Sequence, residues 1–430
     1  MTDLQSMAAC WRRDLLENVV PFWEKYSIDT KHGGFYTALD EDGTVLDTTK
    51  FMWLQGRAVF TWSRLHNELR SDVGSETAGR WFAHAQGGAR FLSHGKLKEG
   101  TLAFSVCEDG SLPTHFQRKP YSAVFYVLGC LEYAEALRVR AAAGEPTSGD
   151  TPEAWLLEAE DYFERLRGWI ENPSALGRTG APSLDGPSSP STSDAPSRSS
   201  LADVMCLAGL AEEMLAKLPA QRERWMAHVR DAQRRVLLHY EPTRHILMES
   251  ADTVRGVTLD EPAGRLFNPG HSIEVAWFLL RLCQLAPSAE LQRTALDALE
   301  GSLVLGWDSD AHGGGLLYMM DVLGRPLQDC TVTAENKLWW PICEAIIACT
   351  LAIEVSGDEG RWMPWLQKVH AYAYTHLCDA DGGGEWFGYL RRDGTAFNRC
   401  KGSNCICPAR TQTRLLCAAP LLKDQRVRLS

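Results

Sequence analysis

His32-Gly33-Gly34-Phe35-Tyr36, running into Asp40-Glu41-Asp42-Gly43, returns as Gly313-Gly314-Gly315-Leu316-Leu317-Tyr318 before Asp321-Val322-Leu323-Gly324. It returns again as Gly382-Gly383-Gly384-Glu385-Trp386-Phe387-Gly388-Tyr389 before Arg392-Asp393-Gly394. Each copy reads as a glycine entry, a short aromatic strand and a turn. Weaker copies run from Thr101 to Pro113 and from His245 to Asp260. Strand centres near Tyr36, Phe104, Leu247, Leu316 and Phe387 lie about 68, 143, 69 and 71 residues apart, and the doubled interval predicts a sixth unit near residue 175.

Between these strands apolar residues recur at three and four spacing, which is helical. The pattern covers Ala8 to Tyr26, Leu54 to Glu68, Ala78 to Leu92, Tyr121 to Ala142, Pro152 to Ile170, Leu201 to Leu218, Arg222 to His239, His271 to Leu285, Glu290 to Gly301, Lys337 to Val355 and Trp362 to Leu377. Two helices and a hairpin per unit, six times over, fill residues 1–430 as one domain. The expected fold is all-α: an (α/α)6 barrel with short β-hairpins gathered at one mouth and a concave centre for a ligand. An open helical solenoid used for protein binding is the competing arrangement. Residues 172–200, rich in Gly, Pro, Ser and Asp, are too poor in apolar surface to pack and are expected to form a flexible loop.

A formal charge of −11 with scattered Lys and Arg argues against a nucleic-acid partner. Apolar runs such as Trp277 to Leu280 and Ala345 to Ala352 are short for a bilayer, and Met1 to Phe22 carries charges inside its apolar pattern. The expectation is a cytoplasmic protein without a membrane partner. Thirteen cysteines in no framework spacing read as reduced thiols, and Cys400, Cys405 and Cys407 lack the second Cys/His pair of a closed metal site, so no metal is expected.

The chemistry concentrates in Asn268-Pro269-Gly270-His271-Ser272-Ile273-Glu274. Asn before Pro suits a helix entry and puts His271 in the opening turn, where the positive helix end disfavours imidazolium. Glu274, three residues on, shares its face and can orient the ring or offset that effect. A neutral imidazole is what a general base requires. Trp53-Leu54-Gln55-Gly56-Arg57 opens the second helix, and Arg57 suits a developing oxyanion; a surface salt bridge is its plainer reading. Lys337-Leu338-Trp339-Trp340-Pro341 with Glu344, and Glu385-Trp386-Phe387-Gly388-Tyr389, repeat the pairing of aromatic faces with charges that grips sugar rings. Gly87-Gly88 followed by Gly95-Lys96 is a poor imitation of a phosphate loop.

These strings resemble the N-acylglucosamine 2-epimerase (renin-binding protein) family over residues 21–62, 267–281, 306–318, 336–344 and 384–394. The resemblance implies an (α/α)6 barrel, commonly dimeric, that interconverts N-acetylglucosamine and N-acetylmannosamine in sialic-acid metabolism. It also implies ATP or a related nucleotide as activator, and renin as a partner. It casts His271 as an acid/base group, Glu274 as its support and Arg57 as the stabiliser of the C1 oxygen. Trp53, Gln55, Asn268, Lys337, Trp340, Glu385 and Trp386 are then expected to bind the sugar. Three departures stand out. Where the family has a second histidine in K-G-x-x-F-K-G-x-F-H-x-P-R, this chain reads Lys401-Gly402-Ser403-Asn404-Cys405-Ile406-Cys407-Pro408-Ala409-Arg410, diverges over residues 403–430 and has no histidine after His376. Ala123 stands where an acidic residue follows the serine, and residues 172–200 are an insertion. Impaired catalysis is one expectation; a catalytically dead relative that binds renin or another protein is the alternative. A glycosidase, with Glu274 and Glu385 as its carboxylate pair, ranks last.

Overall fold

Helical periodicity becomes eleven long helices among the residues that the computed structural model describes, which are 3–115, 120–172, 176, 198–327, 334–379, 384–397 and 401. The first, α1, spans residues 4–26, with a π-helical turn at Leu15–Val19 ahead of Pro21, whose missing amide interrupts the ladder. The next six are α2 (Met52–Val73), α3 (Ser75–Phe91), α4 (Tyr121–Ala142), α5 (Pro152–Glu171), α6 (Leu201–Lys217) and α7 (Arg222–Leu237). They are followed by α8 (Pro269–Leu285), α9 (Ala289–Gly306), α10 (Trp339–Ser356) and α11 (Glu359–Tyr372). Even-numbered helices form an inner ring, each packed on the next, and odd-numbered helices lie outside them. This is the expected (α/α)6 arrangement. The final inner helix, the sixth hairpin, residues 403–430 and Cys400, Cys405 and Cys407 fall outside the described residues. Of the stretch 172–200, expected to be a flexible loop, Arg198–Ser200 instead form a strand paired with Ser250–Asp252.

The inner helix α10 corrects one expectation. It is long and apolar enough, by composition alone, to cross a bilayer, yet 72% of it is buried inside the protein. A helix apolar on all sides is what the inner ring of a large core demands.

Every described inner helix is entered from a hairpin loop, so their N-termini share one mouth. Strands leading into inner helices pair antiparallel with a strand of the following loop: Lys50–Phe51 with Ser105–Val106, Leu266–Phe267 with Met320–Asp321, and Lys337–Leu338 with Tyr389–Leu390. Neighbouring units are thereby stitched together around the rim. The glycine signature serves a second closure. Single bridges Ile28–Phe35, Lys96–Leu102 and Trp307–Leu316 tie a residue one or two positions after each glycine turn to the end of the preceding outer helix. Gly34 (φ +70°) and Gly315 (φ +83°) are left-handed, and a Cβ there would meet Phe91 at 2.8 Å and Tyr372 at 2.4 Å.

The ring closes on itself, which disposes of the open solenoid. Trp11 Nε1 donates to His370 Nδ1 (3.1 Å), Trp23 Nε1 to Glu385 Oε2 (2.7 Å), and Trp386 Nε1 and Tyr374 Oη to Asp14 (3.1 and 3.2 Å). First helix and last hairpin are therefore joined by buried polar bonds as well as apolar contact.

A recurring lysine underlies the hairpins. Lys50 Nζ meets Asp29 Oδ2 and the Gly33 carbonyl, both at 2.5 Å; Lys337 Nζ meets the His312 carbonyl (2.7 Å), the Arg392 carbonyl and Asp308 (3.3 Å); Lys401 pairs with Asp379. All three lysines are fully buried. Burial works against the Asp29 carboxylate, but the Lys50 ammonium and the His32 and Lys31 amides outweigh it and hold its pKa below the ordinary value. Stability from this pair is present above the ordinary carboxylate range and is lost as pH falls below it. Lys50→Met strands the carboxylate and is expected to cost about 3–5 kcal/mol in urea unfolding. Lys50→Met with Asp29→Leu should recover most of that loss; an equally unstable double variant would argue against the pairing.

Candidate active site

Arg57, Glu274 and Glu344 are each the sixth residue of their inner helix, on α2, α8 and α10. A shared position in a repeating unit puts them at one depth below the mouth. Their charges interact: Glu274 and Glu344 both feel Arg57 and each other's neighbourhood, and Glu274 also feels His271. One turn nearer the mouth, Trp53 and Trp340 are each the second residue of α2 and α10.

His271 is fixed from three sides. Asn268 caps α8, its Oδ1 accepting the His271 amide at 3.1 Å. The His271 ring lies 5.1 Å from the Trp340 ring, tilted 34°. Gly270 makes that approach possible, because a Cβ there would strike Trp340 at 2.5 Å. The third contact is Glu249, whose Oε1 accepts from His271 Nδ1 at 2.8 Å. A carboxylate only accepts, so Nδ1 carries the hydrogen and Nε2 keeps its lone pair. Among the described residues Nε2 has no partner, and the side chain is 23% exposed.

Glu249 corrects the reading of Glu274 as the residue that orients the ring: Glu274 acts on His271 through charge alone. Sequence inspection missed Glu249 because it lies outside the motif, in the loop before α8. The fold delivers it. Its amide donates to the Leu266 carbonyl (3.1 Å), its carbonyl accepts from Leu201 (2.9 Å), and the Leu247 amide beside it donates to Ser272 Oγ (2.9 Å). Desolvation opposes the His271 imidazolium, but Glu249 and then Glu274 overcome it and raise the pKa. The base form is therefore lost, as pH falls, at a higher pH than for a free histidine. Glu249→Gln is expected to lower that pKa and move the acid limb of kcat/KM to lower pH. An unmoved acid limb would assign it to another group.

Arg57 makes no ion pair among the described residues, contrary to the salt-bridge reading. Its guanidinium carbon lies 4.3 Å from the Phe125 ring and 4.9 Å from Trp53. Gly56 brings α2 against the α4 backbone, since a Cβ would meet the Phe125 carbonyl at 2.5 Å. Glu274 is pushed up by burial against the pull of His271 and Arg57. Glu344 is pushed well up by burial and by the Glu274 carboxylate, and Trp277 Nε1 donates to its Oε2 at 2.8 Å. Aligning the helix entries offers a signal for Glu344, since Trp53…Arg57 and Trp340…Glu344 share one spacing.

Four expected sugar contacts are corrected. Gln55 is fully buried and its amide pins the Phe35 backbone, accepting from the amide (2.8 Å) and donating to the carbonyl (2.9 Å). Lys337 is the hairpin lysine, and Glu385 and Trp386 close the ring, whereas Asn268 caps α8 through Oδ1 and its buried Nδ2 has no partner among the described residues. With Glu385 Oε2 held by Trp23 and Oε1 by the Trp386 amide, the Glu274–Glu385 glycosidase pair is not available. Trp53 and Trp340 remain at the mouth, each partly exposed. Gly87 and Gly88 lie inside α3 and Lys96 Nζ is paired with Glu158 at 2.8 Å, so this segment does not fit a nucleotide phosphate. No metal-binding cluster occurs among the described residues.

The sequence profile of N-acylglucosamine 2-epimerase (GlcNAc 2-epimerase) matches residues 34–155 and 213–405. N-acylglucosamine 2-epimerase of Bos taurus is 32% identical over 396 residues, covering 90% of this chain and 84% of the relative. That of Homo sapiens is 32% identical over 403 residues, covering 90% and 83%. Among solved structures, cellobiose 2-epimerase from Bacillus thermoamylovorans superposes with a TM-score of 0.73 at 18% identity over 96% of this chain and 100% of that one.

Proposed function

Since the chain belongs to the N-acylglucosamine 2-epimerase family, we propose that it inverts C2 of an N-acyl amino sugar, interconverting N-acetylglucosamine and N-acetylmannosamine. The observation that carries this reading is His271, with Nδ1 held by Glu249 and Nε2 unpartnered in the ring that also holds Arg57. The C2 proton of the open-chain sugar is acidic because the electron pair it leaves can move onto the C1 oxygen. Neutral Nε2 takes that proton, and Arg57 stabilises the oxygen as negative charge develops. The positive ends of inner helices at the mouth favour the same charge. Trp53 and Trp340 supply flat faces for the carbon chain.

The finer parts of the proposal rest on the resemblance alone: an ATP-like activator, a homodimer, renin as partner, a place in sialic-acid metabolism and a cytoplasmic location. No step above uses the nucleotide. A non-catalytic binding role is not favoured, because the Glu249–His271 arrangement leaves a basic nitrogen open that packing does not require. Protein incubated with N-acetylmannosamine in heavy water should yield N-acetylglucosamine bearing deuterium at C2, read by proton NMR. If wild-type protein neither makes product nor exchanges the C2 hydrogen, the proposal is wrong.

A further inference from the structure

The peptide that joins Met248 to Glu249 is held at both of its polar ends. Its N–H donates to the Leu266 carbonyl (3.1 Å), and its carbonyl accepts from His239 Nδ1 (2.8 Å). A peptide unit is planar, so fixing both ends fixes the plane and, with it, the direction in which the Glu249 side chain leaves the backbone. That direction carries the Glu249 carboxylate to His271 Nδ1 at 2.8 Å.

His239 follows the last turn of α7 and is fully buried, as is Met248. A carbonyl only accepts, so Nδ1 carries the ring hydrogen and Nε2 accepts from the Ser199 hydroxyl at 2.8 Å. The His239 carbonyl also accepts the Met248 amide at 2.8 Å, so one residue grips Met248 by both of its backbone polar groups. Ser199 lies in the strand paired with Ser250–Asp252, opposite Ala251. Burial holds the imidazole below its ordinary pKa, with Arg198 acting in the same sense and the Met248 carbonyl, Glu249 and Asp203 against it. The result is a neutral ring with no exposed surface at which substrate could meet it.

We propose that His239 is a positioning residue for epimerisation: by holding the Met248 carbonyl it aims Glu249 at His271, and so keeps the hydrogen of that ring on Nδ1 and the lone pair on Nε2. This rests on the epimerase reading above. Without the His239 bond a buried carbonyl is left unpaired, and the peptide turns to find another donor. Glu249 turns with it, and the His271 ring is no longer held in one tautomer. The segment itself stays in place, because the Leu247 amide remains on Ser272 Oγ and the Glu249 carbonyl remains on the Leu201 amide.

Two substitutions separate the two ring nitrogens. Asparagine puts Nδ2 where Nδ1 stands and can still donate to the Met248 carbonyl, whereas glutamine reaches Ser199 and leaves that carbonyl unpaired. His239→Gln should lower kcat by about 10–100-fold, the scale on which small misplacements act. It should also move the acid limb of kcat/KM to lower pH, towards the position that Glu249→Gln gives, because a carboxylate that raises the His271 pKa has turned away while Glu274 stays. His239→Asn should keep the wild-type limb and most of the turnover. In Glu249→Gln protein, adding His239→Gln should shift the limb no further. His239→Leu fills the buried space without a donor and makes the same removal if the glutamine variant folds poorly. A folded glutamine or leucine variant with its acid limb at the wild-type position overturns the proposal, whatever its turnover. So does an asparagine variant displaced as far as the glutamine one, or a shift that adds in full to that of Glu249→Gln. Wild-type protein without epimerisation is instead the failure of the epimerase reading, and is seen before any variant is compared.

Discussion

Substituting His271 by asparagine should lower kcat for epimerisation by about 10²–10⁴-fold, the usual worth of a positioned general base. Asparagine keeps a polar group near Glu249 but has no basic nitrogen. The α8 entry should survive, since the cap from Asn268 goes to the backbone amide of residue 271. Melting temperature is therefore expected to stay close to wild type while turnover falls, and the two are measured by calorimetry and by product formation on one preparation. Turnover within tenfold of wild type would remove His271 from the chemistry. The variant should also lose the acid limb of the kcat/KM profile that Glu249 and Glu274 set by raising the histidine pKa.

Arg57→Ala carries the second large effect, a fall in kcat of about 10²–10³-fold, the magnitude seen when one donor to a developing oxyanion is removed. The loss should fall on kcat more than on KM, because the negative oxygen exists in the intermediate and not in the aldehyde. Arg57→Lys is expected to recover little. Lysine replaces a flat guanidinium, lying over Phe125 and Trp53, with a compact and strongly hydrated ammonium. Losing the cation also removes the charge that draws down Glu274 and Glu344, so both carboxyls should hold their protons to higher pH. A change confined to KM would mean that Arg57 binds the sugar without stabilising the intermediate.

The residues that could be read correctly from sequence are those whose role depends on near neighbours. Periodicity located all eleven long helices among the described residues, and the entry Asn268-Pro269 located the turn that presents His271. Residues that failed the reading have roles set by distant partners. Glu385 and Trp386 carry the aromatic-plus-charge look of a sugar site, yet Trp23 and Asp14, from the other end of the chain, claim them. Lys337 looks like a ligand for a polar substrate and is a hairpin strut. Each is polar and buried, and sequence does not reveal whether such a group satisfies the protein or a ligand.

What the sequence determined by itself is the repeat: a period near 70 residues, helices of matching length and glycine turns whose left-handed backbones other residues tolerate poorly. Those are consequences of local sterics and of apolar spacing along one stretch of chain. Tertiary structure alone decided that Glu249, rather than Glu274, holds the His271 ring, and that Arg57, Glu274 and Glu344 meet at one depth. The reason is geometric: closing a ring of inner helices brings equivalent positions of successive units face to face, and the partner each charge finds depends on helices separated by scores of residues.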